Sequence, residues 1–328
     1  MSVYGRLQQL RRLLYDRGWL SSEPSPGPTI AVGNIVWGGT GKTPVTGWLA
    51  RHYLAAGRRV AILSRGYGRR SRGLVVVSDG RQISADACAG GDEPVLLARS
   101  APGSIVVVAE RRAAAARRAR ELGADFFLLD DGFQHRALRR DVDLVLVDAN
   151  DPFGGGTPPR GRAREDPAAL SKADILLVTR AGEEEDRASM LRMWNERAPI
   201  FHCRLCFSGW TRENGSGADR LPDGPCVSIC AIASPDGFRA TLSELGVEPA
   251  ERLQFVDHHD YSRRDVRALE ACAARHGAAF AVTTEKDIVK LAGLTGLPLY
   301  AAGIAPEIRE PGFFEAVDGL LARRRHEA

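Results

Sequence analysis

The sequence lacks the features that are typical of disulfide-rich secreted domains, membrane-spanning proteins and nucleic-acid-binding proteins. Its 328 residues contain only six cysteines, too few for the disulfide framework of a small secreted domain. No apolar run reaches the roughly 18 residues of a membrane-spanning helix, and no secretory signal peptide is recognisable. The net charge of +4 comes with interspersed signs. No basic patch is therefore expected, and no nucleic-acid partner.

The composition that remains is typical of soluble globular proteins, with 44% hydrophobic and 26% charged residues. The length suits one large or two ordinary domains. One cysteine arrangement, Cys203-x2-Cys206 followed by Cys226-x3-Cys230, comes close to a zinc-ribbon spacing. The flanking residues are typical of strands, in which positions three apart point to opposite faces. Buried, reduced thiols are therefore favoured over a zinc site.

Short β-branched runs alternate with helical stretches from residue 29 onwards, as in "TIAVGNI", "RVAILSRG", "SIVVVA" and "FFLLDDG". Strands that are apolar throughout and separated by helices predict a mostly parallel, doubly wound α/β sheet over residues 29–200. Polar, Gly-rich residues 201–225 predict a linker or hairpin. A second, smaller α/β domain is expected over 226–305, and a closing C-terminal helix over 306–328.

Residues 1–28 have a different character. Val3, Leu7, Leu10 and Leu14 recur at helical spacing, and arginines lie beside them. A basic amphipathic helix lying on an anionic membrane surface has this pattern. A helix that packs its apolar face on its own domain has it as well, so the pattern alone leaves both interpretations open.

The stretch "VGNIVWGGTGKT" lies between a predicted buried strand and a predicted helix, where a phosphate-binding loop belongs. The usual pattern, G-x-x-x-x-G-K-[ST], requires glycine at position 36, where this chain has Val36; the nearest upstream glycine is Gly33. Lys42 would neutralise phosphate charge and Thr43 would ligate magnesium. The candidate nucleotide-binding residues are Val36, Trp37, Gly38, Gly39, Thr40, Gly41, Lys42 and Thr43.

Acidic side chains follow two other elements. Asp130 and Asp131 end the buried run "FFLLDD", where a P-loop protein holds a magnesium-binding carboxylate, although Asp-Gly also favours a plain turn. In "GDEP", Asp92 and Glu93 precede a helix, and helix capping by Asp92 is the alternative to function. The motif "TTEKD", Thr283 to Asp287, is typical of a helix cap and is interpreted as mainly structural.

Two further segments carry polar groups. "SRGYG" ends the second strand, and its Arg65 can reach an anion. "VDHHDY" follows a strand of the second domain. Most histidines in such positions are ordinary surface or core residues.

The motifs "VGN-x4-GGTGKTP", "LSRGYG", "GDEP", "DDGFQH-x2-L-x-RD", "PFG", "RE", "DHH" and "VTTEKD", in this order, resemble the tetraacyldisaccharide 4'-kinase family, the lipid A 4'-kinases of Gram-negative bacteria. The resemblance runs from residue 29 to about 292, and the family shares the displaced glycine. It implies a P-loop NTPase fold with a smaller second domain. It also implies transfer of the ATP γ-phosphate to the 4'-hydroxyl of a tetraacyl glucosamine disaccharide 1-phosphate.

Residue roles follow from the same resemblance. Asp92 matches the family's proposed base, assisted by the histidine that falls on His258, while Lys42 matches the phosphate-binding lysine. The cofactors implied are ATP and Mg²⁺, and the metal ligands expected are Thr43, Glu93 and Asp130. The residues expected at the acceptor are Arg65, Tyr67, Asp131, Gln134, His135, Arg164 and Glu165.

The resemblance also favours the membrane interpretation of the N-terminus, because the implied substrate is embedded in a bilayer. We therefore expect peripheral attachment to the cytoplasmic face of the inner membrane, with no obligate protein partner. The chain departs from the family at "FGGGTPPRGRARE", where Gly155 replaces an asparagine and Arg160 and Arg162 add positive charge. The alternatives are a P-loop kinase or ligase for a soluble small molecule, and a non-catalytic nucleotide-binding switch.

Overall fold

A computed structural model describes residues 3–180 and 187–326. Its helices are α1 (Val3–Asp16), α2 (Lys42–Ala55), α3 (Ala87–Gly90), α4 (Asp92–Ser100), α5 (Arg112–Glu121), α6 (Ala188–Arg192), α7 (Pro235–Glu244), α8 (Arg263–His276), α9 (Glu285–Leu291) and α10 (Phe313–His326). Its strands are β1 (Thr29–Asn34), β2 (Val60–Ser64), β3 (Val75–Asp79), β4 (Ile105–Val108), β5 (Phe126–Asp130), β6 (Val142–Asp148), β7 (Ile175–Thr179), β8 (Ile200–Arg212), β9 (Gly217–Ala218), β10 (Cys226–Cys230), β11 (Arg252–Gln254), β12 (Phe280–Thr284) and β13 (Leu299–Ile308).

These strands form one continuous sheet in the order β11-β10-β12-β13-β8-β7-β6-β1-β5-β2-β4-β3, with β9 paired beside β8. Most neighbours are parallel, and the antiparallel pairs are β3 with β4, β8 with β13 and β8 with β9. The expected mostly parallel α/β architecture is therefore present.

Strand β1 occupies the middle of the N-terminal part of this sheet, between β5 and β6. All six of its residues are buried, as are all five of β2, β5 and β7. Helices cover both faces, which explains why these strands are apolar throughout instead of alternating with polar residues. The carboxyl ends of β1, β2 and β5 consequently meet at one edge of a rigid core.

The predicted linker or hairpin at residues 201–225 is in large part a strand. β8 is 13 residues long and pairs with β7 on one side and β13 on the other. Buried Phe201, Cys203 and Trp210 lie in β8 among polar and glycine residues, and that mixed composition made the segment look like a connection. The hairpin part of the prediction corresponds to the turn between β8 and β9.

The two halves of the chain thus share β8, and their division into separate domains stays a prediction. The C-terminal helix begins later than expected, because β13 extends to Ile308 and α10 starts only at Phe313. Phe313 and Phe314 pack against Trp48 of α2, with ring centroids 5.4 and 4.6 Å apart. The last helix therefore packs against the nucleotide-binding half of the chain, through α2, as well as against the C-terminal half.

Helix α1 contacts the protein through polar side chains, while three of its four leucines are exposed. Arg136 donates a 2.7 Å hydrogen bond to Asp16, and Arg12 lies 3.9 Å from Glu165. Leu7 is 60% exposed and Leu10 54%. The side chains of Val3, Tyr4 and Arg6 lie outside the described residues. Within the described ranges no helix has the length and apolarity needed to cross a bilayer.

Candidate active site

The loop between β1 and α2 is held by hydrogen bonds at its back. The Asn34 side chain donates to the Thr40 hydroxyl over 2.9 Å, and the Thr179 hydroxyl donates to the Thr40 carbonyl over 3.0 Å. Gly38 and Gly41 adopt φ angles of 120° and 86°, which side chains other than glycine rarely tolerate. The loop leads directly into the N-terminus of α2, an arrangement that favours bound phosphate.

The displaced glycine has a packing explanation. A Cβ on Gly33 would lie 2.5 Å from the Phe133 Cβ, so the backbone after β5 approaches β1 too closely for any side chain. Val36 is 5% exposed and packs with Ile35 and Phe133 in a buried cluster. Position 36 is therefore a core position in this loop, and the close approach that requires glycine occurs at position 33.

Asp130 ends β5 next to the loop, where it is buried close to other carboxylates. Burial, followed by the nearby charges of Glu93 and Asp131, raises the pKa of Asp130 to about 7. Ser64 donates a 3.3 Å hydrogen bond to its carboxylate. This excess of negative charge and oxygen donors suits a hard divalent cation such as Mg²⁺, which would relieve the repulsion.

Asp131 is held differently. Its φ of 52° places its backbone in the left-handed region, and Arg164 donates hydrogen bonds of 2.7 and 2.6 Å to its two oxygens. Lys42 lies 3.6 Å from the same carboxylate. Burial would raise the pKa of Asp131, but Lys42 and Arg164 outweigh it and hold the pKa below its ordinary value. Asp131 thus stays ionised between two cations.

Asp92 and His258 come together from distant parts of the chain. The Asp92 carboxylate lies 3.0 Å from His258 Nδ1. Asp92 begins α4 and is 6% exposed, whereas His258 follows β11 with a φ of 61°. Burial opposes ionisation of Asp92, but the hydrogen bond with His258 and the charge of Lys286 lower its pKa below the ordinary value.

Lys286 and Lys290, on α9, complete this cluster. The Lys286 ammonium lies 2.9 Å from His258 Nε2 and 3.6 Å from a Glu93 oxygen. Lys290 lies 3.9 Å from Asp92. Thr284 caps α9 by accepting from a backbone amide, so the capping interpretation of "TTEKD" is correct. The same motif also delivers a lysine to the cleft.

Further polar residues of the candidate site follow β5 and β6 in the chain. Gln134 donates a 2.7 Å hydrogen bond to the Asn34 carbonyl. Burial, followed by the charge of Arg112, lowers the pKa of His135 to about 4, so this imidazole is neutral near pH 7. Burial raises the pKa of Glu165, which lies beneath α1 beside Arg12.

One cleft of about 1390 Å³ brings most of the predicted residues together. Its lining includes Trp37, Gly38, Gly39, Thr40, Gly41, Lys42, Thr43, Arg65, Tyr67, Glu93, Asp130, Asp131, Gln134, His135, Arg164 and His258. Three predicted residues are not part of that lining: Val36 is in the core, Asp92 lies behind His258, and Glu165 borders a small crevice under α1. The roles assigned to all of these residues stay predictions.

The sequence interpretation missed several residues of the cleft. Arg112 is 3% exposed and lines it, and Arg180 joins Asp148 to the phosphate loop through the Gly39 carbonyl. Lys286 was assigned to a helix cap. These three residues each follow a buried strand, and that position is the sequence feature that could have indicated a role in the site. Arginine and lysine are too common after strands for this feature to identify them.

The cysteines do not assemble into the ribbon considered from the sequence. Cys203 lies on β8 and Cys226 and Cys230 lie on β10, with β13 and β12 between them. Buried Cys203, Cys226 and Cys230 are free thiols, as favoured above. Burial raises the pKa of Cys203 to about 12. In the part of the chain described, the residues close enough to share a metal are Glu251, Cys272 and His276, and Arg275 pairs with that glutamate at 2.6 Å.

The mostly parallel sheet, with its phosphate loop on a central strand and carboxylates at the end of the adjacent strand, defines a P-loop nucleotide-binding protein. A family model described as Tetraacyldisaccharide-1-P 4'-kinase matches residues 1–322. The chain belongs to this family. Membership confirms the expected fold class and the expected activity, an ATP-dependent kinase of lipid A biosynthesis that phosphorylates a hydroxyl group.

Individual relatives agree with this assignment. The tetraacyldisaccharide 4'-kinase of Anaeromyxobacter dehalogenans (strain 2CP-C) is 44% identical over 292 residues, 86% of this chain and 77% of the relative. That of Geobacter sulfurreducens is 38% identical over 333 residues, 96% and 90% of the two chains. The crystal structure of LpxK from Aquifex aeolicus in complex with ATP superposes with a TM-score of 0.82 at 31% identity, covering 98% of this chain and 96% of that one.

Proposed function

We propose that this protein transfers the γ-phosphate of ATP to the 4'-hydroxyl of a tetraacyl glucosamine disaccharide 1-phosphate. The observation that carries the proposal is the Asp92–His258 pair, which lies beside the same cleft as the phosphate loop. A nucleotide-binding switch needs no such pair. A kinase needs a group that accepts the hydroxyl proton as the phosphoryl group is transferred.

The phosphate loop and its neighbours would bind the nucleotide. Residues 38–43 line the cleft, and Lys42 would supply positive charge for the β- and γ-phosphates. Thr43, Glu93 and Asp130 would hold Mg²⁺, because they offer the oxygen ligands that this ion prefers. When bound, the ion would neutralise charge that develops on the transferred phosphoryl group.

Asp92 would act as the general base. Its lowered pKa keeps it ionised at neutral pH and therefore able to accept a proton, and His258 orients its carboxylate. The two residues come from different halves of the chain, on α4 and after β11. Catalysis would consequently require both halves of the molecule to meet around the substrate, which also excludes water from ATP.

The acceptor would bind on the side of the cleft formed by Gln134, His135 and Arg164, with Arg65 and Tyr67 at the rim. Arg164 already neutralises Asp131, so this wall combines a fixed ion pair with a neutral imidazole. Glu165 lies below this wall and supports α1 through Arg12. That contact connects the acceptor wall to the N-terminal helix.

Helix α1 would attach the protein to the cytoplasmic face of the inner membrane. Leu7, Leu10 and Leu13 are exposed while Asp16 contacts the protein, which is not what a helix packed on its own domain by these leucines would show. Trp19, 72% exposed, follows the helix, and tryptophan is favoured at membrane interfaces. Gln8 and Arg11 of the same helix line the cleft, so a lipid substrate could enter from this side.

The decisive experiment incubates the protein with γ-labelled ATP, Mg²⁺ and the tetraacyl disaccharide 1-phosphate in detergent micelles. We expect labelled bisphosphorylated lipid in the presence of Mg²⁺ and none after chelation. The matched substrate control is the de-acylated disaccharide 1-phosphate, which carries the same hydroxyl. Label that appears only with a soluble acceptor would contradict the lipid assignment and favour the small-molecule kinase.

A further inference from the structure

A group of side chains of the kinds that ligate metals lies at the C-terminal end of α8, outside the cleft. Cys272 and His276 are four positions apart on this helix, so their side chains project from the same face. Glu251, which immediately precedes β11, lies beside them. One ligand atom from each of the three residues lies within 4.8 Å of the other two. The described residues that line the cleft do not include these three, so the proposed kinase reaction does not use them.

The three side chains together offer a donor set that suits Zn²⁺. Zinc binds thiolate sulfur at about 2.3 Å, and imidazole nitrogen and carboxylate oxygen at about 2.0–2.2 Å. In a tetrahedral site these bond lengths place neighbouring ligand atoms roughly 3.3–3.7 Å apart. Glu251 Oε2 and His276 Nε2 are hydrogen bonded at 2.8 Å, so an ion between them requires a separation larger by about 0.5 Å. A small rotation of either side chain supplies this movement.

The position of the cluster suits a cation. His276 is the last residue of α8, and Gly277 ends the helix with a φ of 62°. The carbonyl end of a helix carries partial negative charge, which adds to that of the Glu251 carboxylate. Cys272 is 2% exposed, whereas the side chains of His276 and Glu251 are 33% and 41% exposed. An ion would therefore enter from the solvent side, bind the buried sulfur and keep a water molecule as its fourth ligand.

Arg275 competes for the same carboxylate. Its guanidinium lies 2.6 Å from Glu251 Oε2, the oxygen that also faces His276. The Arg275 side chain is 62% exposed, and an exposed ion pair of this kind holds its partners only weakly. A divalent ion that bonds directly to the carboxylate, the imidazole and the thiolate would displace the guanidinium into solvent. Arg275 would then lower the affinity for the ion without blocking the site.

We propose that Glu251, Cys272 and His276 form a binding site for Zn²⁺, with water completing a tetrahedral coordination shell. Binding would release the proton of the Cys272 thiol to solvent. The ion would join the residue before β11 to the end of α8, so it would fix both ends of the segment that carries His258. This site is separate from the Mg²⁺ ligands proposed above, and its occupation can be measured without kinase turnover.

The test titrates the whole chain, freed of metal with a chelator, with Co²⁺ as a spectroscopic substitute for Zn²⁺. We expect visible bands with the intensity typical of four-coordinate cobalt, and a thiolate-to-cobalt charge-transfer band in the near ultraviolet. Cobalt held only by oxygen ligands at the phosphate loop would lack the charge-transfer band. Zn²⁺ added afterwards should remove the bands by displacing cobalt, and Zn²⁺ alone should raise the Tm, because it binds the folded state.

Matched variants assign the ligands. Cys272→Ala should remove the charge-transfer band. His276→Ala should weaken Zn²⁺ binding, measured by competition with a chromophoric chelator, by at least about tenfold, since loss of even an outer partner of a metal site has an effect of that size. Cys88→Ala is the control, because Cys88 is an exposed free thiol outside the cluster, and it should keep the wild-type spectrum. Arg275→Ala should strengthen Zn²⁺ binding by up to about fivefold, since the competing ion pair is gone.

Two results would overturn the proposal: a wild type that shows no charge-transfer band with Co²⁺, or a spectrum and an affinity that either Cys272→Ala or His276→Ala leaves unchanged. The cluster would then be only an ion-pair arrangement in which Arg275 and His276 share Glu251. Circular dichroism checks the folding of each variant, and His276→Ala, at an exposed position, decides the question if the buried Cys272→Ala variant does not fold. An inactive kinase would count against the proposed function and leave this measurement unaffected.

Discussion

At the scale of single residues, the site depends on charges that compensate one another at short range. Asp131 lies between Lys42 and Arg164, whereas Asp130, one residue earlier, faces Glu93 with less compensation. Their pKa values are accordingly moved in opposite directions, down for Asp131 and up for Asp130. This difference indicates that the neighbours have separate roles, Asp131 in ordering the acceptor wall and Asp130 in meeting a cation.

The first prediction concerns the proposed base. Asp92→Asn keeps the shape of the side chain but removes its ability to take a proton, so kcat should fall by about 10²–10⁴-fold. His258→Ala should also lower kcat severely. ATP affinity, measured by calorimetry, should change little in both variants because neither side chain belongs to the phosphate loop.

Asp223→Asn is a suitable control, since Asp223 lies in an exposed turn away from the cleft. Loss of ATP binding in proportion to loss of turnover would place Asp92 in nucleotide binding instead of proton transfer.

The second prediction concerns the residue that replaces the consensus glycine. Val36→Gly restores the usual phosphate-loop pattern, yet it should lower the free energy of unfolding by roughly 2–4 kcal/mol, because it removes a buried side chain and loosens the backbone. Urea denaturation measures this loss, and Val36→Ala should lie between wild type and Val36→Gly. A stability equal to that of the wild type would show that Val36 is not the packing residue inferred here.

At the scale of elements, the residues of the candidate site lie at the ends of helices and strands, and hydrogen bonds outside the site hold these elements in place. α9 is held at its start by Thr284, and its Asp287 accepts from the Ala231 amide over 3.0 Å. α8 begins with a capping box in which Ser262 and Asp265 satisfy each other's backbone amides. The loop from Val256 to Asp260 lies between β11 and α8, and this anchoring allows His258 to keep its left-handed backbone.

The third prediction tests α1 as an element. Replacing Leu7 and Leu10 together by glutamine should reduce partitioning onto vesicles with anionic lipids by on the order of tenfold or more, because their apolar area no longer enters the interface. Co-sedimentation measures the bound fraction. Deletion of residues 2–20 should abolish most of the binding.

Leu74 and Leu294 provide the control, since both are exposed and lie outside α1. The same double replacement there should leave vesicle binding intact. Equal losses from both pairs, or no loss from the α1 pair, would refute α1 as the membrane contact.

At the scale of the whole molecule, one sheet carries both sides of the cleft. β8 pairs with β7 in the nucleotide-binding part and with β13 in the C-terminal part, and the latter pairing extends from Tyr300 to Ile308 of β13. The phosphate loop and the Asp92–His258 pair are therefore held by the same continuous sheet. They do not lie on two bodies joined by a flexible linker.

The fourth prediction follows from this shared strand. A specific protease site introduced in the exposed turn at Asn214 and Gly215 should allow cleavage between β8 and β9 without separating the products. Size-exclusion chromatography should show one particle under native conditions and two fragments in denaturant. Fragments that separate under native conditions would indicate a true linker, as the composition of residues 201–225 suggested.

The buried parallel strands and most residues of the cleft could be predicted from the sequence, because local sequence patterns encode them. The apolar runs before Asn34 and Asp130 predicted buried parallel strands, and the motif series indicated which residues share a cleft. The contribution of Lys286 could not be predicted, since its contact with His258 joins residues 28 positions apart across a turn whose geometry no local pattern encodes. The start of β8, around Cys203 and Cys206, has a sequence typical of a strand, but the end of the strand was assigned to the linker because it is rich in polar residues and glycine.

The shared strand also has a consequence for synthesis. β7 and β8 emerge from the ribosome together, but β13, the second partner of β8, follows about 90 residues later. At ordinary rates of translation the free side of β8 therefore waits on the order of ten seconds for its partner. An unpaired strand edge of this length invites pairing with another nascent chain. Slow translation or a high local concentration of ribosomes should thus lower the yield of folded protein, and a chaperone that shields strand edges should restore it.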